Sequence, residues 1–488
     1  MASITILWLR RALRLADNPV LAWACARAAD ASVGGVVIPV YIDAPDADGD
    51  WPMGAASRWW LHHSLEALQG SIKEKGSRLI LRAGPCEKVL RELIEEAGAD
   101  AVCWDRCYEP AAVERDKAIK SNLRNDGIEV KSFNASLLFE PWEVQTGEGN
   151  PYKVFTPFWK TCTQRPAPGK PLSVPKSIPA PKKWPKSLKL DDLGLLPKID
   201  WAGGMREAWT PGEAGANKAL ERFRKSAVLD YPDGRDRPDK TGTSRLSPHL
   251  HFGEISPRQV WHRLAPGSKS DMSERDRQSA WAYLREVGWR EFAYHLLYHF
   301  PHTPNEPLRP EFKKFPWLKD TKALKVWQKG KTGFPIVDAG MRELWNTGWM
   351  HNRVRMIVAS FLVKDLLLPW HDGAAWFWDT LIDADLANNT LGWQWTAGCG
   401  ADAAPYFRVF NPTLQGRKFD PEGAYVRRWI PELAKLDTRY IHEPTKAPAD
   451  ALKRAGIELG KDYPRPIVDH GEARDRALAA LDTIKKNK

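Results

Sequence analysis

Between Gly348 and Leu433 the chain mixes Trp, paired Asp, Asn and Arg into helical patterns. Burying that mixture is costly unless each polar group finds a partner, so it implies a deep polar site rather than plain core. In Met350–Leu368 the apolar residues Val354, Ile357, Val358, Phe361 and Leu362 recur at helical spacing and are expected to face a core. Asn352, Arg355 and Met356 stand at i, i+3 and i+4, so they share the opposite side of that helix. Upstream, Glu286, Trp289 and Arg290 repeat the spacing and project a carboxylate, an indole and a guanidinium from one face. On their own terms these three fit a surface ion pair beside a core Trp as well as a site. Further upstream, Gly242, Thr243 and Ser244 offer open backbone amides and hydroxyls where a helix or turn begins. That arrangement suits a phosphate, or an ordinary N-cap.

The elements that must position these residues fall into two groups. From residue 3 to 134 short buried-type strands, ITILWLR, GGVVIPVYI, RLILR, AVCW and IEVKSF, alternate with helical stretches beginning near Asn18, Gly54, Glu87 and Ala111. This predicts an α/β Rossmann-like N-terminal domain with a five-stranded parallel sheet, residues 1–135. No GxGxxG follows the first strand, so a nicotinamide dinucleotide site in the usual place is not expected. Prolines 166, 168, 171, 175, 179, 181 and 185 forbid regular structure and predict a linker draped over the surface, within an interdomain segment 136–205. From about Ala214 the periods are helical, predicting an all-α domain over 206–488 that ends in a fraying basic helix.

The balance of 72 Lys and Arg against 61 Asp and Glu gives +11, which suits a polyanionic partner or simply a soluble surface. Six cysteines without a CxxC pair argue against zinc and iron–sulfur sites, so no metal is expected. The first residues are charged and carry no long apolar run; neither signal peptide nor membrane span is expected, and the location predicted is cytoplasmic. Most of the 24 Trp must fill cores.

GWMHNRVRMIVASFLVKDLL, DADLANN, GWQW and RVFNPTLQGRKFDPEGAYVRRWIPEL resemble, almost word for word, the flavin domain of the photolyase/cryptochrome family. Agreement runs from WLRRALRLADNPVL near the start to Leu433. The resemblance implies FAD, active as FADH⁻, in the all-α domain. By it, Tyr231, Arg235, Thr243, Ser244, Leu246 and Ser247 line the cofactor along the segment that wraps its diphosphate. Arg290, Trp349, Asn352, Arg355, Asp383, Asp385 and Asn389 match further flavin-binding positions, with Arg355 and Asp383 expected as a buried charge pair. Asn389 falls opposite flavin N5, where photolyases resemble this chain and plant cryptochromes typically carry Asp. A neutral amide donates or accepts there, whereas a carboxylate could deliver a proton, so the anionic reduced flavin suits this sequence. Trp393, Trp370 and Trp317 match the family's electron relay from surface to flavin, and WQW in a turn or extended stretch would aim Trp393 at the flavin and Trp395 at DNA.

Glu286 and Trp289 fall where photolyases hold the damaged pyrimidine pair, and Asn352, Arg353, Met356 and Trp395 where cyclobutane-dimer photolyases contact the lesion or its flanks. The implied activity is light-dependent DNA repair by a carbon–carbon lyase: excited FADH⁻ lends an electron to a flipped-out cyclobutane pyrimidine dimer, which splits into two pyrimidines. Photolyases for the six-four lesion use a histidine pair, and DASH cryptochromes usually carry Gln where Met356 stands. Lys and Arg, Arg353 and the residues near Arg417 and Lys418 among them, would meet phosphates. The alternative is a cryptochrome, a blue-light photoreceptor signalling through a partner. As antenna, SRWWLHHSL resembles class III photolyases and plant cryptochromes and implies methenyltetrahydrofolate, with a deazaflavin as the alternative; Pro110, Ala111 and Ala112 replace the class I folate pattern. Damaged DNA is the expected partner of a monomer.

Overall fold

The computed structural model describes residues 3–30, 34–266, 273–403 and 407–485. Strands β1 (Ser3–Trp8), β2 (Gly35–Asp43), β3 (Ile80–Ala83), β4 (Ala101–Asp105) and β5 (Glu129–Phe133) form one parallel sheet in the order β3-β2-β1-β4-β5. β1 pairs on one side with β2, Ser3 opposite Gly35, and on the other with β4, Thr5 opposite Ala101. Nearly continuous burial along β1, β2 and β4 is what a sheet covered on both faces demands. The covering helices are α1 (Pro19–Asp30), α2 (Ala55–Glu74), α3 (Cys86–Ala97) and α4 (Pro110–Asn125). Beyond Phe133 the described residues form no strand, only an isolated bridge between Leu459 and Tyr463.

The proline-rich segment lacks regular structure and runs over the surface along the sheet edge, held there by specific bonds. Ile178 is buried and its N–H reaches the Lys75 carbonyl, while Val37 of β2 donates to Pro179. Along β3, Leu81 donates to Ser187 Oγ at 3.0 Å and accepts from Leu188 N–H at 2.9 Å. An edge strand has an unpaired row of backbone groups, and this segment satisfies part of that row.

The helical half is organised on three helices. Glu274–His299 is buried along most of its C-terminal half, which explains why its apolar pattern has no single face. Asn352–Ser360 buries Val354, Ile357 and Val358 and runs on into a π-helical turn, Phe361–Asp365. Leu386–Ala397 packs against both. The C-terminal helix His470–Lys485 is docked rather than frayed: it buries Ala473, Ala477, Ala480, Leu481 and Ile484, and His470 Nδ1 meets Asp365 at 2.6 Å. The two domains are in contact through α2, whose Trp60 is fully buried and donates Nε1–H to Glu254 Oε1 at 3.0 Å.

Candidate active site

A close backbone approach shapes the upstream loop. A Cβ on Gly242 would lie 2.2 Å from the Gly234 carbonyl oxygen, so only glycine lets the two strands of the loop touch. Beyond it, Ser244 Oγ accepts from the Tyr283 hydroxyl at 3.0 Å and from Leu246 N–H at 3.3 Å. Tyr231 is buried with its ring 5.2 Å from that of Tyr283, Leu246 is buried, Thr243 is half-buried, and Ser247 accepts from Trp349 Nε1 at 3.3 Å. Arg245 was not foreseen. It takes the left-handed backbone conformation (φ 54°), and its guanidinium lies 4.2 Å from the Trp209 ring and 4.8 Å from that of Trp349. A non-glycine residue held at positive φ is the kind of strain that marks a site, but sequence carries no sign of it.

Arg355 Nη2 donates to both oxygens of Asp383, at 2.8 and 3.1 Å, and its Nε to the Met350 carbonyl. Asp383 is buried while the arginine is a quarter exposed. Asp385 caps the Leu386–Ala397 helix: Oδ1 accepts from the backbone N–H of Asn388 at 2.9 Å and from its side-chain amide at 2.6 Å, and Oδ2 from the Tyr294 hydroxyl. Burial works to raise the pKa of Asp385, while the hydrogen bond from His251, the charge of Arg290 and the hydrogen bond from Tyr294 work to lower it. Asn389 gives its amide N–H to the Ala374 carbonyl at 3.1 Å, which leaves its own oxygen free to accept. Arg290 is buried, with Nη1 on the Ser136 carbonyl at 2.7 Å.

Of the two readings open for Glu286 and Arg290, the ion pair between them does not form. Glu286 accepts from Arg235 Nη1 at 2.5 Å, and burial pushes its pKa up against the pull of that arginine. Asp236, unforeseen from the sequence, extends the connection: it lies 4.0 Å from Arg235 Nε and accepts from Arg353 at 2.7 Å, and Arg353 Nη1 sits 3.8 Å from Met356 Sδ. Three of the residues expected to meet the substrate, Glu286, Arg353 and Met356, are thereby joined in one network with Arg235. Trp289 has one face stacked on Phe155, centroids 3.8 Å apart. Asn352 is exposed and Trp395 half-buried. Arg417 is taken up by Glu443 at 3.0 Å.

Trp393 and Trp395 lie within the Leu386–Ala397 helix rather than in a turn or extended stretch. Two helical steps turn a side chain by about 200°, so they still face apart: Trp393 is buried, with its ring 5.0 Å from Phe377 and 6.3 Å from Trp327. Trp370 stacks on His371, and Trp317 lies tilted against Phe315 with centroids 4.3 Å apart. Among the described residues none of the three tryptophans expected to form a relay takes another as its ring partner. The helix Trp370–Thr380 nevertheless presses on Trp393, because a Cβ on Gly373 would lie 2.0 Å from Trp393 Cη2.

Among the described residues, Arg245 Nε and Arg290 Nη2 are buried without a hydrogen-bond partner. Each is a buried cationic donor without a protein partner, a group that fits an anionic ligand such as the diphosphate of a dinucleotide. Residues 283–483 match the model of the FAD binding domain of DNA photolyase, and residues 5–181 the DNA photolyase model. The chain belongs to the DNA photolyase family. This photolyase-family chain is 53% identical to the deoxyribodipyrimidine photo-lyase of Agrobacterium fabrum (strain C58), over 99% of its own length and 98% of the relative's. It is 42% identical to cryptochrome-1 of Arabidopsis thaliana, over 98% and 70% of the two chains. The solved class III photolyase of Agrobacterium tumefaciens superposes with a TM-score of 0.94 at 52% identity, covering 100% of this chain and 98% of that one.

Proposed function

We propose that this photolyase-family chain repairs DNA in the light, splitting cyclobutane pyrimidine dimers as a carbon–carbon lyase. The observation that supports this reading most directly is the network Glu286–Arg235–Asp236–Arg353–Met356, which ties the lesion-side residues to the cofactor-side loop. FAD, bound in the all-α domain and active as FADH⁻, would supply on excitation the single electron that opens the cyclobutane ring and would receive it back. The residues have separate tasks. Arg245 and Arg290 meet the diphosphate, and Asn389 offers its free oxygen to an N–H. Glu286, held by Arg235, hydrogen-bonds the edge of a flipped pyrimidine and shares a proton with it as negative charge grows there on ring opening. Trp289, backed by Phe155, offers its other face to the flipped pyrimidines, and Met356 and Trp395 close the apolar side. Trp393, Trp370 and Trp317 form the relay that delivers electrons from the surface to the cofactor.

For the antenna, methenyltetrahydrofolate or a deazaflavin, the SRWW helix offers no open ring: Trp59 and Trp60 are buried. Trp345, 63% exposed and parallel to Trp376 at 5.9 Å, supplies an accessible stacking surface for a flat chromophore. Among the described residues no helix is long and apolar enough to cross a membrane; we place the protein in the cytoplasm, acting as a monomer on damaged DNA. The likeness to plant cryptochrome-1 favours a second reading, a blue-light photoreceptor. One experiment separates the two. Purified, FAD-loaded, reduced protein is given dimer-containing DNA under blue light; restored pyrimidine absorbance supports the lyase, and intact dimers leave the photoreceptor.

A further inference from the structure

One polar chain, ending on Asp385, crosses from the N-terminal domain into the helical one. Arg11, just past β1, is tied by its backbone N–H to Asp105 and sends Nη1 to Nε2 of His251 at 2.5 Å. His251 is buried and presents Nδ1 to Asp385 Oδ2 at 3.4 Å. A guanidinium has only hydrogens to offer, so Nε2 must be the acceptor. The neutral imidazole therefore carries its proton on Nδ1 and donates to Asp385. The charged and titratable groups around the ring and its carboxylate partner come from both domains: Arg11 and Glu109, 3.9 Å apart, from the first, and Asp385, itself met by Tyr294 and Arg290, from the second. Burial and Arg11 hold the His251 pKa down against the pull of Asp385.

We propose that Arg11 is a positioning residue that pins His251 in its neutral Nδ1–H form, so that the surroundings of Asp385 keep a fixed negative charge and no imidazolium as a proton source. The proposal rests on the reading of Asp385 as a flavin neighbour. An anionic reduced flavin is best kept by walls that hold no acidic hydrogen, and Asn389 already meets that demand. Without Arg11 the Nε2 lone pair is freed and a repelling charge disappears. Asp385 then draws a second proton onto the ring, which titrates between about pH 5 and 8.

The test uses the FAD-loaded full chain with ¹⁵N-labelled histidine, the His251 signals being assigned through His251→Gln. In the wild-type protein the long-range ¹H–¹⁵N pattern is that of an Nδ1–H ring and stays constant over that pH window. Arg11→Met gains a titration at His251 and the same pH dependence in the absorption of the reduced flavin; Arg11→Lys suppresses both. A wild-type ring protonated on Nε2, or an identical titration in wild type and Arg11→Met, overturns the proposal, and the first result needs no variant to fold. Asp385→Asn keeps the two readings apart. If it leaves FAD retention and flavin absorption unchanged, the placement of Asp385 at the flavin fails, while the ring signals still decide whether Arg11 sets the state of His251.

Discussion

Replacing Arg355 by Met removes both hydrogen bonds to Asp383, at 2.8 and 3.1 Å, and leaves a carboxylate that is itself buried. Stranding one member of a buried pair costs roughly 3–5 kcal/mol. The guanidinium here is a quarter exposed, and solvent screens part of the attraction, so the lower end, about 3 kcal/mol, is the expected loss. Asp383→Asn leaves the arginine with water within reach and should cost less, about 1–2 kcal/mol. The double variant strands no charge and should recover about 2 kcal/mol of the summed single losses. Urea unfolding followed by release of flavin fluorescence, which reports on the helical domain, gives all four corners of this cycle. Additive losses within about 0.5 kcal/mol would show that the two groups act independently and would refute the reasoning.

Glu291 is fully buried, accepts the backbone N–H groups of Leu138 and Phe139 at 2.8 and 3.2 Å, and is pushed by burial to a pKa of about 7. A carboxyl raised in the folded state stabilises below its unfolded value and loses that contribution as pH climbs towards 7. Glu291→Gln should therefore gain on the wild type between about pH 4.5 and 7, by a few kcal/mol, in parallel melts; parallel pH profiles would refute it. Trp317→Phe should slow photoreduction of oxidised flavin while leaving repair by already reduced enzyme intact; an unchanged photoreduction rate removes Trp317 from the relay. Gly373→Ala would drive a methyl into Trp393, whose ring is already packed against Phe377 and Trp327. The expected cost is about 1–3 kcal/mol with a shift in Trp393 fluorescence, and a neutral substitution would show that the helix can yield.

Much of the site was legible because it sits on long helices. The spacing of Val354, Ile357 and Val358 assigns one face to the core and sends Asn352 and Met356 elsewhere, whatever the rest of the chain does. Strand and helix alternation up to Phe133 was equally local, since burial on two faces leaves its mark in every strand. The pairing of charges was not local. Spacing put Glu286 beside Arg290, yet the carboxylate turns to Arg235, 51 residues away, and Arg290 turns to a backbone carbonyl. The C-terminal helix looked free to fray because its basic residues are visible in sequence, whereas the groove it fills is not.

The amino-acid sequence by itself determined the two-domain plan and which residue types line each helical face, because periodicity and turn chemistry act over a few residues. Which groups neutralise one another, the strained Arg245 between two indoles, and the Arg11–His251–Asp385 chain were decided only by the tertiary structure. Electrostatic partners are chosen by distance in space, and a chain that folds 240 residues back on itself keeps no local record of that choice.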